Sequence, residues 1–430
     1  MEIMKSLLKK IIPSFAIGAY HYLLALAGAF LYGFPSRKLK VIGVTGTSGK
    51  STTVDFISRI LEEAGLKTAS LSSVRFRIDG KERENKLKMT MPGRLKIQKF
   101  LRQAVNEGCK YAVLEITSEG IKQHRHKFIN FKTAVFTNLS PEHIESHGGF
   151  EKYRKAKMEL FKAAKNVHII NLDDKNSKYF LQFTAKEKYC FSTDTPNKSH
   201  GNYLAYRIFW AENCQTFPQG LKFSVNKTEF NLKLLGRFNI SNALAAICVG
   251  LSEGISLKTC KKALQKAKGI PGRMEMVAKE PFAIIVDYAH TPEQLEQVYK
   301  TLAGQLAEKS SGKLVCVLGS CGGGRDKWKR PVLGKLAGQY CKEIIVTNED
   351  PYDEDPMEII NQVADGAAQK SEKILDRRLA IGRALKLANP GDIVVIIGKG
   401  SEPWMCVANG KKIPWDDRKI AEEEFKKTNS

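Results

Sequence analysis

The chain has no C-x-x-C pair, although nine cysteines are scattered along its 430 residues. This pattern indicates reduced thiols and a cytoplasmic protein, and it argues against a zinc ribbon or a disulfide framework. Zinc-finger spacing and aromatic-plus-basic motifs are also missing, so we expect no nucleic-acid partner. The net charge is +24 without a single basic block, which indicates a lysine-rich solvated surface. Attraction to anionic substrates or to an anionic membrane face is the alternative.

Asp, Glu, Lys and Arg are all absent from residues 14–34, which lie between Pro13 and Pro35. The stretch approaches the roughly 20 residues of a membrane-spanning helix, although His21 and several small residues weaken it as a span. No small-residue cleavage site stands out, so we expect no cleaved signal peptide. We predict an apolar helical leader over residues 1–35. Three hypotheses stay open, with membrane association ranked before packing alone: a membrane anchor, an interfacial helix, or a helix packed on the protein.

Residues 40–61 read KVIGVTGTSGKSTTVDFISRIL and predict a strand, a glycine loop and an amphipathic helix. Backbone N–H groups of such a loop and the N-terminus of the following helix face an anion. Lys50 would reach the β- and γ-phosphates of a nucleotide, and the Ser51 hydroxyl would bind Mg²⁺. Val44 stands where the strict P-loop pattern has glycine. An ordinary strand–turn–helix, whose glycines serve only the turn, is therefore the alternative.

Two more polar residues come at or just after predicted strands. Glu115 ends the apolar run Tyr111–Leu114, and His143 comes shortly after Thr133–Phe136. Because ligands gather at the carboxyl edge of open α/β sheets, both side chains are candidates for a magnesium or phosphate site beside the loop. A surface glutamate and a structural histidine are the alternatives. Lys157 lies on a predicted helix, where spacing alone does not distinguish it from a solvated lysine.

The carboxy-terminal part alternates apolar strands with helical segments after a candidate linker at Ile270–Arg273. The predicted strands are Ala283–Asp287, Leu314–Leu318, Glu343–Thr347 and Ile393–Ile397. This alternation predicts a doubly wound, mostly parallel sheet. The predicted fold class is therefore α/β, with a P-loop ATPase domain over residues 36–269 and a Rossmann-like domain over residues 270–430.

Several motifs in order make the chain resemble the Mur ligase family, and within it the tripeptide-synthetase (MurE-like) branch. The matching stretches are VTGTSGKSTT, LEITSEGIKQHR, AVFTNLSPEHIESHG, YRKAKMELF, GRFNISNALAA, PGRMEMV, VDYAHTPE, CGGGRDKWKRP and GKGSE. They run from about Val41 to the C-terminal region. The ordered series is far more specific than any single motif.

The resemblance implies ATP and Mg²⁺ as cofactors, with two ions expected. ATP would be held by Gly46, Thr47, Ser48, Gly49, Lys50, Ser51, Thr52, Asn239, Asn242, Arg273, Asp287 and His290. The catalytic residues would be Lys50, Glu115, His143 and Lys157, with Ser51, Glu115 and His143 at the metal. Lys157 matches a lysine that family members carbamylate with CO₂. The acceptor and the amino acid would contact Thr90, Thr117, Ser118, Gln123, Arg125, Arg325, Asp350, Gly398 and Glu402.

The stretch from Glu349 to Tyr352 departs from the family pattern for enzymes that take diaminopimelate. Those relatives usually carry Asp-Asn-Pro-Arg there, whereas this chain has Glu-Asp-Pro-Tyr. The guanidinium that would clamp a second carboxylate is therefore missing. Asp350 and Glu402 would instead suit an amine, so we expect lysine or another amino acid with a cationic side chain.

The resemblance implies an ADP-forming acid–amino-acid ligase that extends a muramoyl-peptide acceptor through an acyl phosphate, in peptidoglycan precursor synthesis. Typical relatives devote about 90 residues to the UDP moiety before the phosphate loop. Only about forty precede it here, so the acceptor is either UDP-linked or lipid-linked. We expect a cytoplasmic monomer that contacts a membrane surface through residues 14–34. Alternatives are a folylpolyglutamate, poly-γ-glutamate or cyanophycin type of ligase, or a non-catalytic nucleotide-binding protein at a membrane.

Overall fold

The sheet of the first large domain is built around the strand that precedes the glycine loop. The structure is a computed structural model that describes residues 14–87, 89–195, 206–309, 312–367 and 371–428. In these ranges the sheet contains nine strands. They are β1 (Lys40–Thr45), β2 (Thr68–Leu71), β3 (Arg75–Ile78), β4 (Lys81–Glu84), β5 (Tyr111–Glu115), β6 (Phe131–Phe136), β7 (Val167–Asn171), β8 (Glu187–Ser192) and β9 (Arg207–Trp210).

The strand order across this sheet is β4-β3-β2-β5-β1-β6-β7-β8-β9. All neighbours from β2 to β9 are parallel, whereas β3 and β4 form an antiparallel hairpin at one edge. The central strand β1 pairs with β5 on one side and with β6 on the other. Val44 of β1 lies opposite Glu115 of β5. The carboxyl ends of β1, β5 and β6 therefore meet at one edge, which is where the sequence predicts the site.

Helices cover both faces of this sheet. They are α1 (Ser14–Leu31), α2 (Lys50–Glu63), α3 (Arg94–Asn106), α4 (Ser118–Lys122), α5 (Ile144–His147), α6 (Phe150–Ala163), α7 (Ser177–Leu181), α8 (Phe238–Ser252) and α9 (Leu257–Gln265). One core layer joins the sheet to α2, α8 and α9, and the other joins it to α3, α6 and α7. A small antiparallel sheet of β10 (Glu212–Phe217), β11 (Gly220–Val225) and β12 (Thr228–Leu232) extends the first layer.

The second large domain is the predicted doubly wound α/β unit. Its strands are β13 (Glu275–Ala278), β14 (Ala283–Asp287), β15 (Leu314–Leu318), β16 (Glu343–Thr347), β17 (Ser371–Ile374) and β18 (Ile393–Ile397). They lie in the order β13-β14-β18-β15-β16-β17, with β13 antiparallel and the others parallel. The helices are α10 (Pro292–Lys309), α11 (Lys329–Tyr340), α12 (Pro356–Gly366), α13 (Arg377–Leu387) and α14 (Asp417–Thr428). The hairpin of β19 (Trp404–Cys406) and β20 (Lys412–Pro414) follows β18.

Helix α1 is the predicted apolar helix, and it packs against α3 through one face. Its small residues Ala25, Gly28 and Ala29 are buried against the protein, and a Cβ atom at Gly28 would lie 3.4 Å from the Leu95 Cα. Arg102 of α3 donates from Nε to the Tyr32 carbonyl at 2.9 Å, which holds the end of the helix. Within the described ranges no helix is long and apolar enough to cross a bilayer. The first thirteen residues of the predicted leader lie outside those ranges.

Candidate active site

A cavity of about 630 Å³ lies where the carboxyl edges of the two large sheets face each other. All the site residues predicted from the sequence line it, with the single exception of Gly46. The two domains also touch directly at its rim, because the Glu145 N–H donates to Asp326 Oδ1 at 3.0 Å and the Lys327 N–H donates to Glu145 Oε1 at 2.9 Å. The site is therefore shared between two domains that are in contact in this structure.

The glycine loop between β1 and α2 has the conformation that its two outer glycines allow. Gly46 has φ 153° and Gly49 has φ 78°. A Cβ atom at Gly46 would lie 1.9 Å from Thr137 Oγ1, and one at Gly49 would lie 2.2 Å from Asn242 Oδ1. Glycine is therefore required for close packing as well as for backbone conformation. The loop is held from outside by Asn138, whose Oδ1 accepts the Ser48 N–H at 2.9 Å.

Helix α2 begins at Lys50 with no side-chain cap on its N-terminus. The first N–H groups of a helix have no partner within it, and they carry the positive end of the helix dipole. These groups open toward the cavity, together with the side chains of Ser51 and Thr52, which line it. The arrangement is that of an anion-binding site. Behind it, Asn242 Nδ2 donates to Asn239 Oδ1 at 3.0 Å and fixes the two asparagines predicted on the nucleotide side.

Ser51 and Glu115 lie side by side in front of this helix end. The Ser51 hydroxyl is 2.8 Å from Glu115 Oε2, and the Ser73 N–H donates to the same oxygen at 2.9 Å. Lys50 Nζ is 4.0 Å from the other carboxylate oxygen and donates to the Thr47 carbonyl at 2.7 Å. The oxygen donors fit Mg²⁺, which usually takes one or two protein oxygens and completes its shell with phosphates and water. In the described part of the chain, no group of three or more His, Cys, Asp or Glu side chains is placed to hold a metal ion.

Glu142 joins the two domains at the centre of the cavity, although the sequence analysis did not single it out. Its Oε1 lies 2.9 Å from His290 Nε2 and 3.5 Å from His143 Nε2, and Tyr153 donates to Oε2 at 3.4 Å. Burial alone would raise the pKa of this carboxyl, but His143, His290 and Lys50 hold it well below the usual range. Glu142 is therefore a buried anion that the surrounding cations and ring N–H groups stabilise.

His143 sits in the left-handed backbone region, with φ 55°, just before α5. Burial, together with Arg325 and in opposition to Glu142, lowers its pKa to about 4. The imidazole is therefore neutral near pH 7 and keeps a ring nitrogen that can accept a bond. Arg325 from the other domain approaches that ring, with Nη1 3.2 Å from His143 Nδ1.

Lys157 is 2% exposed, a burial that its spacing on the helix did not predict. Its Nζ donates to the Gly46 carbonyl at 2.6 Å and lies 4.5 Å from the centre of the Tyr153 ring. Burial, reinforced by the charge of Lys50 and partly offset by Glu142 and Glu115, holds its pKa well below the usual value. The neutral amine, which is the nucleophilic form, is therefore favoured far more than in a solvated lysine.

The wall predicted for the acceptor is built on α4 and the loop after it. Thr117 caps α4 by accepting the Gly120 N–H at 3.1 Å. Arg125 is held in place by two donations, one to the Met91 carbonyl and one to Gln123 Oε1 at 2.6 Å. The same wall includes Thr90 and Ser118.

The predicted amino-acid pocket contains a cation of its own. Lys399 Nζ lies 2.9 Å from both carboxylate oxygens of Asp350 and 2.8 Å from Glu402 Oε2. Lys399 is 0% exposed. The sequence argument treated Asp350 and Glu402 as acids available to a substrate amine. That premise needs correction, because an internal ammonium already contacts both and leaves one net negative charge among the three.

The remaining predicted residues of the second domain surround the linker. Asp287 is buried and accepts the N–H groups of Met274 and Ala289, each at 2.6 Å. The Arg273 guanidinium lies 3.9 Å from the centre of the Tyr288 ring, and Tyr288 donates to Glu402 Oε1 at 3.1 Å. These contacts connect the linker with the nucleotide side and with the amino-acid side of the cavity.

Sequence reasoning missed Glu142, Tyr153, Lys329 and Lys399. Lys329 donates to the His290 carbonyl at 2.9 Å and lines the cavity. Of these, only Glu142 could have been found from the sequence, because it lies in the segment after β6 and directly precedes His143. The others lie on a helix or in a glycine-rich turn, and no local pattern separates them from surface residues.

Family models match most of the chain. The Mur ligase middle domain matches residues 44–250, and the Mur ligase glutamate ligase domain matches residues 272–400. A UDP-N-acetylmuramoyl-L-alanyl-D-glutamate–2,6-diaminopimelate ligase from Syntrophomonas wolfei is 40% identical over 415 residues, covering 93% of this chain and 81% of the relative. A UDP-N-acetylmuramyl-tripeptide synthetase from Roseiflexus sp. is 34% identical, covering 94% and 82%.

Solved structures agree on the fold. A structure of a UDP-N-acetylmuramoyl-L-alanyl-D-glutamate–2,6-diaminopimelate ligase aligns with a TM-score of 0.60 at 29% identity, covering 91% of this chain and 79% of that one. A Mycobacterium tuberculosis folylpolyglutamate synthase aligns with a TM-score of 0.70, covering 88% and 92%. At 17% identity, the second likeness concerns the fold alone.

Proposed function

The chain belongs to the Mur ligase family, and on that premise we propose that it is an ATP-dependent, ADP-forming ligase that adds an amino acid to a muramoyl-peptide acceptor in peptidoglycan precursor synthesis. The family and the α/β fold class predicted from the sequence are thereby confirmed. The observation that best supports the activity is the shared cavity. It holds an anion-binding helix end with Ser51 and Glu115 on one side and Arg325 on the other.

We assign residues 36–269 as the ATP-binding domain and residues 270–430 as the domain that binds the amino acid. ATP phosphates would lie on the loop from Gly46 to Thr52. Asn239, Asn242, Arg273, Asp287 and His290 would surround the rest of the nucleotide. Ser51 and Glu115 would hold one Mg²⁺, and His143 would contribute to a second. When bound, these ions neutralise the negative charge that gathers where phosphates and a carboxylate meet.

The reaction follows from bringing two anions together. The acceptor carboxylate attacks the γ-phosphorus of ATP, which forms an acyl phosphate and releases ADP. The amine of the amino acid then attacks the acyl carbon, so that an amide bond forms while phosphate and a proton leave. Lys50 and the α2 N-terminus stabilise the phosphates, Arg325 holds the incoming carboxylate, and closure of the two domains would exclude water that would hydrolyse the intermediate.

We propose that Lys157 carries a carbamate in the active enzyme. Its neutral amine would attack CO₂, form a C–N bond and lose a proton, so that a buried amine becomes an anion. That anion would face the metal ligands Glu115 and His143 across the loop. ¹³C NMR of protein equilibrated with ¹³CO₂ should show a carbamate resonance that disappears in Lys157→Met.

The acceptor would lie along Thr90, Thr117, Ser118, Gln123 and Arg125. The amino acid would place its carboxylate at Arg325 and its side chain near Asp350, Gly398 and Glu402. The charges of Asp350, Glu402 and Lys399 sum to one net negative charge beside that side chain, and Tyr352 offers no cation for a second carboxylate. We therefore propose an amino acid with a cationic side chain. Amino-acid-dependent phosphate release across a panel with lysine, ornithine and diaminopimelate tests this, and a clear preference for diaminopimelate would refute it.

The decisive test of the activity is product formation with controls on each substrate. ADP should appear only when acceptor, amino acid and Mg-ATP are all present, and mass spectrometry should find the acceptor extended by one residue. Lys50→Ala should lower turnover by at least about 100-fold with unfolding midpoints unchanged, because it removes a cation from the phosphates. Ligation that persists in Lys50→Ala would contradict the assignment.

We also propose a monomer that contacts a membrane surface through residues 14–34.

A further inference from the structure

Helix α1 presents its large apolar side chains to the outside. Tyr20 is 59% exposed, Leu23 61%, Phe30 78% and Leu31 66%. The residues that face the protein are the small ones, Ala25, Gly28 and Ala29 among them. Surface helices of globular proteins ordinarily do the reverse and bury their large apolar residues. A contiguous apolar face of this kind indicates a binding surface.

The surroundings of this face carry predominantly positive charge, with Glu159 acting on the neighbouring His124 as the exception. Residues 3–54, 85–106 and 120–141 contain no Asp or Glu at all, and these segments supply α1, the helix α3 beneath it and the loop beside it. The exposed cations next to the helix include Lys96 and Lys99 of α3 and Arg37 and Lys38 just beyond its C-terminal end. An apolar face framed by cations is complementary to the interface of a bilayer with anionic headgroups.

The same charge argues against the other occupants. A second copy docked on this face would bring two predominantly basic surfaces together, which is unfavourable. Residues 1–13 add Lys5, Lys9 and Lys10 against a single acid, Glu2, and so carry the same sign as the surface. Anionic lipid is therefore the occupant whose charge and polarity both fit.

The helix lies against the loop that forms the acceptor wall. The Tyr22 ring centre is 5.1 Å from that of Phe128 and 6.2 Å from that of His124. Gln123 and Arg125 of the same short loop line the cavity, and Arg94 of α3 donates to the Gln123 carbonyl at 2.9 Å. Only one loop therefore separates the apolar face from the place proposed for the acceptor.

From this geometry we propose that α1 lies in the interface of an anionic lipid bilayer and that the acceptor is a lipid-linked muramoyl peptide received from that bilayer. The proposal rests on the proposed function, because it names the carrier of the same acceptor. Docking through α1 would hold the mouth of the acceptor site close to the headgroups, where the polar part of a lipid-linked substrate lies.

Vesicle flotation of the full chain tests the docking. Wild type should float with phosphatidylglycerol-containing vesicles and much less with pure phosphatidylcholine. Leu23→Glu/Phe30→Glu should reduce the floated fraction by at least about tenfold, because it places two anions on the apolar face. The matched control is Leu379→Glu/Ile413→Glu, which changes two exposed apolar residues of the other domain (66% and 47%) and should float like wild type.

Three results would overturn the docking. They are no flotation of wild type with either vesicle, equal flotation of both double variants, or a wild-type dimer by light scattering that Leu23→Glu/Phe30→Glu converts to a monomer without any vesicle binding. Circular dichroism and thermal unfolding of each variant check that the overall fold is retained, as the exposure of the substituted positions predicts.

A comparison of two acceptors tests the substrate. We expect kcat/KM at least about tenfold higher for a polyprenyl-diphosphate-linked muramoyl peptide in anionic vesicles than for the UDP-linked form, and we expect Leu23→Glu/Phe30→Glu to lose only that advantage. Activity on the UDP-linked form alone, or equal activity of both variants on vesicles, would overturn the inference and leave the ligase activity intact. ADP release with neither acceptor would overturn the proposed function itself.

Discussion

The most deeply buried lysine of each domain lies at the active-site cavity or directly behind its wall, and these two lysines, Lys157 and Lys399, are in opposite electrostatic situations. Lys399 contacts two carboxylates, Asp350 and Glu402, at 2.8–2.9 Å. Lys157 donates to a backbone carbonyl, and within the described residues no carboxylate lies within ion-pair distance of it. Both lysines are buried, so burial alone does not distinguish them. Desolvation of Lys157 is only partly offset by Glu142 and Glu115, whereas Lys399 contacts two carboxylates; the first domain therefore holds a reactive amine and the second a fixed ion cluster.

The largest expected effect is on the unfolding free energy, when the ion cluster of Lys399, Asp350 and Glu402 is broken. Lys399→Met would leave two carboxylates in the pocket without their cation, which typically costs about 3–5 kcal/mol of unfolding free energy. Urea unfolding followed by tryptophan fluorescence measures it. Lys300→Met, a change at an exposed lysine, should cost less than about 0.5 kcal/mol. If Lys399→Met were as stable as that control, the cluster would not be an ion cluster.

Next in size is the loss of turnover on the side of the reactive amine. Lys157→Met should lower turnover by about 10²–10³-fold, or about 3–4 kcal/mol, because it removes the group that would become a charge-bearing carbamate in the site. Lys155→Met on the same helix is exposed and should retain wild-type turnover. Both are measured as ADP release at saturating substrates. Full activity of Lys157→Met would contradict the catalytic role proposed for Lys157.

The two lysines should also differ in how their removal affects stability with pH. Unfolded, Lys157 binds a proton below its usual pKa of 10.5, whereas the folded protein holds it neutral well below that value. The folded state therefore binds fewer protons, and unfolding free energy rises with pH up to about 10.5. Lys157→Met should be more stable than wild type at neutral pH, by a margin that shrinks as the pH rises. A margin independent of pH would show that Lys157 is charged in the fold.

The smallest effect concerns the contact between the domains. Burial and Arg325 disfavour the His143 cation and lower its pKa from the usual 6.5 to about 4 in the folded protein. Between those values the folded state binds fewer protons, so acidification lowers unfolding free energy by up to about 1.36 kcal/mol per pH unit. His143→Gln should flatten this slope by up to one proton, as measured by urea unfolding from pH 7 to 4. An unchanged slope would show that folding does not shift the pKa of His143 in this pH range.

The sequence pattern was sufficient to predict those parts of the site that are formed by consecutive residues. The strand before Gly46, the helix after Ser51 and the carboxylate at the end of β5 are all where periodicity and composition predicted them. A buried parallel strand and a phosphate loop are each formed by consecutive residues, and the carboxyl ends of parallel strands meet at one edge by topology. For that reason Ser51 and Glu115 could be placed together without a structure.

Long-range contacts were not predictable in the same way. Glu142 meets His290 across 148 positions, and Lys399 meets Asp350 across 49. In the sequence Asp350 and Glu402 were two acids awaiting an amine, and nothing near them showed that Lys399 was that amine. The environment of Lys157 could not be predicted either, since its low pKa depends on a loop more than a hundred residues away.

Composition and order of residues were enough to establish the family, the two α/β domains, the phosphate loop and the apolar character of α1, because each of these depends on neighbours in the chain. The folded structure alone decided which lysine has its pKa lowered, which acids are already paired and which face of α1 points outward. Those properties depend on desolvation and on Coulomb interactions over a few ångströms, and such distances exist only after remote segments have packed together.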